Sequence, residues 1–124
     1  MKILTVEHII ELHSELISST GGSVGIRDIG LLESAVNVPF SSFDSNPFYP
    51  TIETKAARLA FGIIKNHPFV DGNKRCGLLS MLVFLEINGI LLKYNDDELV
   101  RVGMDIADGG AEIVLIDFIS THQL

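Results

Sequence analysis

His67-Pro68-Phe69-Val70-Asp71-Gly72-Asn73-Lys74-Arg75 lies between two stretches of helical apolar spacing, and the rest of the chain is read outward from it. The segment sets an imidazole, a carboxylate, a glycine and two cations where a helix is predicted to begin. The first turn of a helix has backbone N–H groups without internal partners and carries the positive end of the macrodipole, so it already favours an anion. Lys74 and Arg75 add full charges to that end, and Lys65 stands nearby. The combination predicts a site for phosphate transfer.

Upstream, Thr5 caps a first predicted helix that runs to about Thr20, with Val6, Ile9, Ile10, Leu12, Leu16 and Ile17 at helical spacing; Gly21-Gly22 stops it. Asp28 caps a second helix carrying Ile29, Leu31, Leu32, Ala35 and Val36, closed by Pro39. From Pro39 to Pro50 the prolines and small polar residues forbid a helix, which makes this the longest irregular segment. Thr51 caps a third helix to about Asn66, ended by Pro68 because proline disfavours helical geometry in the residue before it. Asn73 is expected to cap a fourth helix through Asn88, with Gly89 as its stop. A fifth helix opens at Asn95-Asp96-Asp97-Glu98, whose acids complement the dipole, and a sixth spans Ala111 to about Ser120. Ile90 to Tyr94 reads as an extended link, and no alternating run is long enough for a sheet. The expected fold is all-α: a single domain over residues 1–124, with about six helices around a central buried fourth.

The 124 residues suffice for one core, and 47% apolar with 20% charged residues is ordinary globular composition. A net charge of −7 argues against general nucleic-acid binding, which needs a basic face. The single cysteine, Cys76, leaves no disulfide framework and too few thiolates for a structural zinc site; with no secretory signal at the start, a cytoplasmic location is expected. Cys76 to Leu92 is the most membrane-like run, but Glu86, Asn88 and Gly89 interrupt it, so it is read as the centre of a bundle.

Within the motif, His67 is the expected general base, since an imidazole titrates near neutrality and can take a proton from an attacking hydroxyl. Asp71 suits a magnesium ion, which takes one or two protein carboxylates and completes its shell with phosphate and water. Gly72 lets backbone approach a phosphate; Asn73, Lys74 and Arg75 supply an amide, a point charge and a planar fork for phosphoryl oxygens. Pro68 and Phe69 are scaffold, and Cys76 is a small buried residue. His8, His13 and His122 receive no role, and Arg27 is read as a solvated arginine beside a helix start.

The nine residues resemble the signature of the Fic/Doc family, His-Pro-Phe-x-(Asp or Glu)-Gly-Asn-(Gly or Lys)-Arg, at every specified position. Gly25-Ile26-Arg27-Asp28-Ile29-Gly30-Leu31-Leu32-Glu33-Ser34-Ala35, Tyr49-Pro50-Thr51, Lys55-Ala56-Ala57 and Phe84-Leu85-Glu86-Ile87-Asn88-Gly89 are similar to the death-on-curing (Doc) branch. The larger branch, mostly AMP transferases, has glycine at the position of Lys74 and an arginine at that of Leu78. Gly72 departs the other way, since Doc commonly has alanine there.

The resemblance implies a toxin that transfers the γ-phosphate of Mg²⁺-bound ATP to a protein hydroxyl, with a threonine of elongation factor Tu as expected target and translation as the casualty. AMP transfer is the second expectation; a catalytically silent antitoxin-binding module is the third. The chain lacks the inhibitory Ser/Thr-x-x-x-Glu-(Gly/Asn) segment of some relatives, which implies control by a separate Phd-like antitoxin. The Pro39–Pro50 segment, with Phe43, Phe48 and Tyr49, resembles in position a target-docking flap; a surface loop pinned by its aromatics is the equal alternative.

Overall fold

Thr5 opens the first helix with a capping box: its hydroxyl accepts the His8 N–H at 3.2 Å and His8 Nδ1 accepts the Thr5 N–H at 3.0 Å. In the computed structural model, which describes residues 1–124, this helix is α1 (Val6–Thr20), ended by Gly21 at φ 88°. Asp28 caps α2 (Ile29–Asn37), accepting the Leu31 N–H at 3.0 Å. Thr51 caps α3 (Ile52–Asn66) and Asn95 caps α5 (Asp96–Ala107), accepting the N–H of Thr54 and Glu98. α4 (Asn73–Ile87) and α6 (Ile113–His122) complete the set.

The expected all-α bundle of six helices is what the chain forms, with amendments. Gly72, in the left-handed region at φ 77°, is the N-cap of α4; Asn73 is its first residue, with its side chain turned inward. The segment after α2 is not wholly irregular. A 3-10 turn (Val38–Phe40) leads into β1 (Ser42–Phe43) and β2 (Asn46–Pro47), an antiparallel hairpin around Asp44 and Ser45, both at positive φ. Two-residue hairpin loops prefer such turns, whose twist matches the strands. Strands of two exposed residues carry no alternation to read. α6 begins two residues later than expected and runs on to His122. Its end is held by antiparallel pairing of the C-terminal segment with the Ile90–Tyr94 link: Lys93 N–H to His122 O at 2.7 Å and Leu124 N–H to Leu91 O at 3.0 Å.

α4 is buried as expected, but the centre is shared with α3, which packs against α4, α2, α5, α6 and the 3-10 turn. α3 and α4 approach closely because Gly77 has no side chain: a Cβ there would lie 2.9 Å from Ile64 Cγ1 and 3.1 Å from Ala60 O. Ile63, Ile64, Met81, Phe84 and Leu85 fill the seam, joined by Ile9, Leu32, Ile106, Leu115 and Ile119 from the other helices. Each such side chain contributes roughly 1.5–3 kcal/mol of burial. No helix is long and apolar enough to cross a membrane. The rigid α3/α4 pair presents the loop that joins it, His67–Gly72, at one end of the bundle.

Candidate active site

α3 ends on His67 in the left-handed conformation, φ 49° and ψ 55°, its N–H bonded to Ile63 O at 3.3 Å. Helices often close this way, usually on glycine. Here the turn instead carries an imidazole, which is exposed.

The loop then dives into the core and returns. Phe69, 1% exposed, is gripped by Asn73: Asn73 Nδ2 donates to Phe69 O and Phe69 N–H donates to Asn73 Oδ1, both at 3.0 Å. Asn73 is itself only 9% exposed. Its amide is therefore engaged with the loop, and what it offers a phosphate is its backbone N–H. No protein acceptor takes the N–H of Asn73, Lys74 or Arg75. They form an open anion-binding turn, beside which the Lys74 side chain is exposed and outside any ion pair.

Asp71 is exposed and accepts the Ser23 N–H at 3.1 Å and the Gly72 N–H at 2.8 Å. These two amides, with the Arg75 guanidinium helping, hold its carboxyl below the usual aspartate range. Its oxygens keep lone pairs for a cation. No group of three metal-ligating side chains exists. A hard cation bound through one carboxylate and phosphate oxygens needs none, so Asp71 beside free amides fits magnesium with a nucleotide. At Gly72 a Cβ would fall 3.0 Å from Ile17 Cδ1 and 3.3 Å from Arg75 Nη2, ends of side chains that can shift, so it is the positive φ that favours glycine here. Arg75 is partly committed elsewhere: Nη1 donates to Thr20 Oγ1 at 2.5 Å and Gly21 O at 3.1 Å.

The structure thus brings His67, Asp71, Gly72, Asn73, Lys74 and Arg75 to one shelf. It does not bring the hairpin aromatics there. Phe43 and Phe48 are 74% and 61% exposed, and the hairpin is rooted at the opposite end of α3 from His67. Only its stem is anchored, by Lys55 Nζ donating to Tyr49 O and the Arg58 guanidinium 6.0 Å from the Tyr49 ring. The shelf is open. The larger cavities, each about 420 Å³, lie between the N-terminal end of α1 and α2 and between α5 and α6. Leu78 is buried, and it fills space against Gly103.

Sequence reading missed two supports. His13, buried on α1, donates through Nε2 to Asp71 O at 2.7 Å, and its ring stacks on Phe69 at 3.8 Å and 4°. A carbonyl only accepts, so Nε2 carries a proton. The available signal was its i, i+4 spacing between Ile9 and Ile17, which puts a polar ring on the apolar stripe. Arg27 is the other: Nε donates to His67 O at 2.6 Å and Nη2 to Asn66 O at 2.8 Å, across forty residues of chain that give no local cue.

The profile of the Fic/DOC family matches residues 3–85, which include the whole shelf. Toxin Doc of Mycolicibacterium smegmatis is 40% identical over 77 residues, 62% of this chain and 59% of that protein, so the match spans about three-fifths of that relative's length. Protein kinase doc of Escherichia phage P1 is 30% identical over 109 residues, 88% of this chain and 85% of that protein. The chain belongs to the Fic/Doc family.

Proposed function

We propose that this chain is a Doc-like toxin that transfers the γ-phosphate of ATP to a protein hydroxyl, with a threonine of elongation factor Tu as target. The observation that carries the reading is the exposed His67 imidazole beside three unpartnered amides and the free cation of Lys74. Two features favour phosphate over AMP transfer. Leu78 is an apolar contact where AMP-transferring relatives have a second arginine for the phosphates, and the phage P1 relative is named a protein kinase.

In this mechanism the amides of Asn73–Arg75 and the Lys74 ammonium bind the terminal phosphoryl oxygens and stabilise charge developing on them. His67 accepts the proton of the attacking hydroxyl as its oxygen bonds to the γ-phosphorus and the bond to the β-phosphate oxygen breaks, releasing ADP. Asp71 would hold magnesium, which neutralises phosphate charge when bound. Phe43 and Phe48, exposed on the hairpin, with the half-buried Tyr49 at its stem, receive a second part of the target protein, away from the hydroxyl that meets His67. A Phd-like antitoxin, disordered until bound, restrains the toxin in the cytoplasm.

AMP transfer is the second reading, favoured by Gly72, the residue type of the larger branch at a position of positive φ. Incubation with ATP, magnesium and a cell extract separates the readings by intact mass. A phosphate-sized gain on elongation factor Tu is expected. An adenylate-sized gain selects the second reading, and no modification leaves a binding module.

A further inference from the structure

The three successive carbonyls around the base are all held by one short segment. Arg27 Nη2 donates to Asn66 O at 2.8 Å and Arg27 Nε to His67 O at 2.6 Å, while the main-chain N–H groups of Arg27 and Asp28 reach Pro68 O at 2.7 and 3.0 Å. The next rung, Val70 N–H to Gly25 O at 3.0 Å, continues the pairing. Carbonyls at a helix C-terminus are ordinarily left to water or to a glycine turn. Here a planar fork takes two of them, and its charge sits at the negative end of the α3 dipole.

His67 needs that clamp more than a glycine would. A β-carbon at φ 49° is disfavoured, and a side chain kept in such a conformation marks a place where the surroundings over-determine the backbone. Arg27 makes no ion pair with any carboxylate, so its engagement with protein is confined to these carbonyls. The phosphate-binding amides are braced separately, by Asn73 on Phe69 and His13 on Asp71.

We infer that Arg27 is a positioning residue for the reaction: it fixes the His67 peptide, and so the imidazole, without contributing to ATP affinity. This rests on the phosphate-transfer reading above. Arg27 is exposed, so Arg27→Ala empties no core site, and a single cooperative unfolding transition checks that the fold is retained. Phosphate transfer at saturating ATP is expected to fall on the order of tenfold or more in Arg27→Ala, as misplacing a reacting group does, with the Kd for Mg·ATP unchanged. Arg27→Lys, which can donate to one carbonyl but not as a fork, is expected to recover part of the rate. In the ¹³C spectrum, the Asn66 and His67 carbonyl resonances should move in Arg27→Ala while those of Asn73–Arg75 stay in place. Full transfer by Arg27→Ala, or parallel loss of ATP affinity and rate, overturns the inference, as do unmoved carbonyl resonances. If the wild-type protein transfers nothing, the functional reading fails, and the carbonyl resonances still decide whether Arg27 holds the peptide.

Discussion

Asn73→Ala is expected to cost stability first and activity second. The substitution removes both bonds to the Phe69 main chain, and Phe69 is 1% exposed, so water cannot replace them without opening the loop. Each orphaned buried group costs about 1–3 kcal/mol, giving roughly 2–6 kcal/mol for the pair. That is a large share of the roughly 5–15 kcal/mol holding a domain together, and it corresponds to a melting temperature lower by on the order of 10 °C. Urea unfolding followed by circular dichroism at 25 °C measures it directly. Asn73→Asp is a sharper companion: it keeps an acceptor for the Phe69 N–H but sets a carboxylate oxygen against Phe69 O, so at neutral pH it should be at least as damaging. A loss below about 0.5 kcal/mol in Asn73→Ala, the range of a surface change, would refute the clamp. Were nucleotide affinity lost at the same time, the side chain would instead be a phosphate ligand, as its type first suggested.

Three further outcomes are expected. His67→Gly and His67→Ala should both lack transfer, yet glycine should be the more stable by about 0.5–1 kcal/mol because it relieves the left-handed turn by more than its extra unfolded entropy costs; urea unfolding gives the order, and a more stable alanine contradicts the observed backbone. His122 donates to Glu98 and, at 2.7 Å, to Phe118 O, and the Glu98 carboxylate raises its pKa above 6.5. Its stabilisation is therefore complete below about pH 6.5 and lost as pH rises through the raised folded value. Urea midpoints at pH 6 and pH 9 should show that loss in the wild type and a smaller one in Glu98→Gln. Burial pushes the Cys76 thiol up to about 11, so iodoacetamide at pH 8 should label it only as fast as the protein opens; rapid labelling of the folded protein would be contrary.

Helix positions were legible because Thr5, Asp28, Thr51 and Asn95 announce themselves through local bonds to residues three positions on. The motif was legible for the same reason: its residues are consecutive. What escaped was long-range or rested on competition between two uses of one residue. Asn73 is a good cap by type, yet the buried Phe69 main chain needs its amide and Gly72 can adopt the capping conformation alone. His13 and Arg27 reach the shelf from 58 and 40 residues away, and nothing beside them in sequence points there. The hairpin escaped because its two-residue strands are set by a turn at positive φ rather than by an apolar pattern.

A crystal structure with a non-hydrolysable ATP analogue and magnesium tests the central claim most directly. The account expects the γ-phosphate on the amides of Asn73, Lys74 and Arg75 with the His67 imidazole facing it from the acceptor side. An α-phosphate in that position, or an imidazole turned from the nucleotide with those amides taken by protein groups, would contradict it.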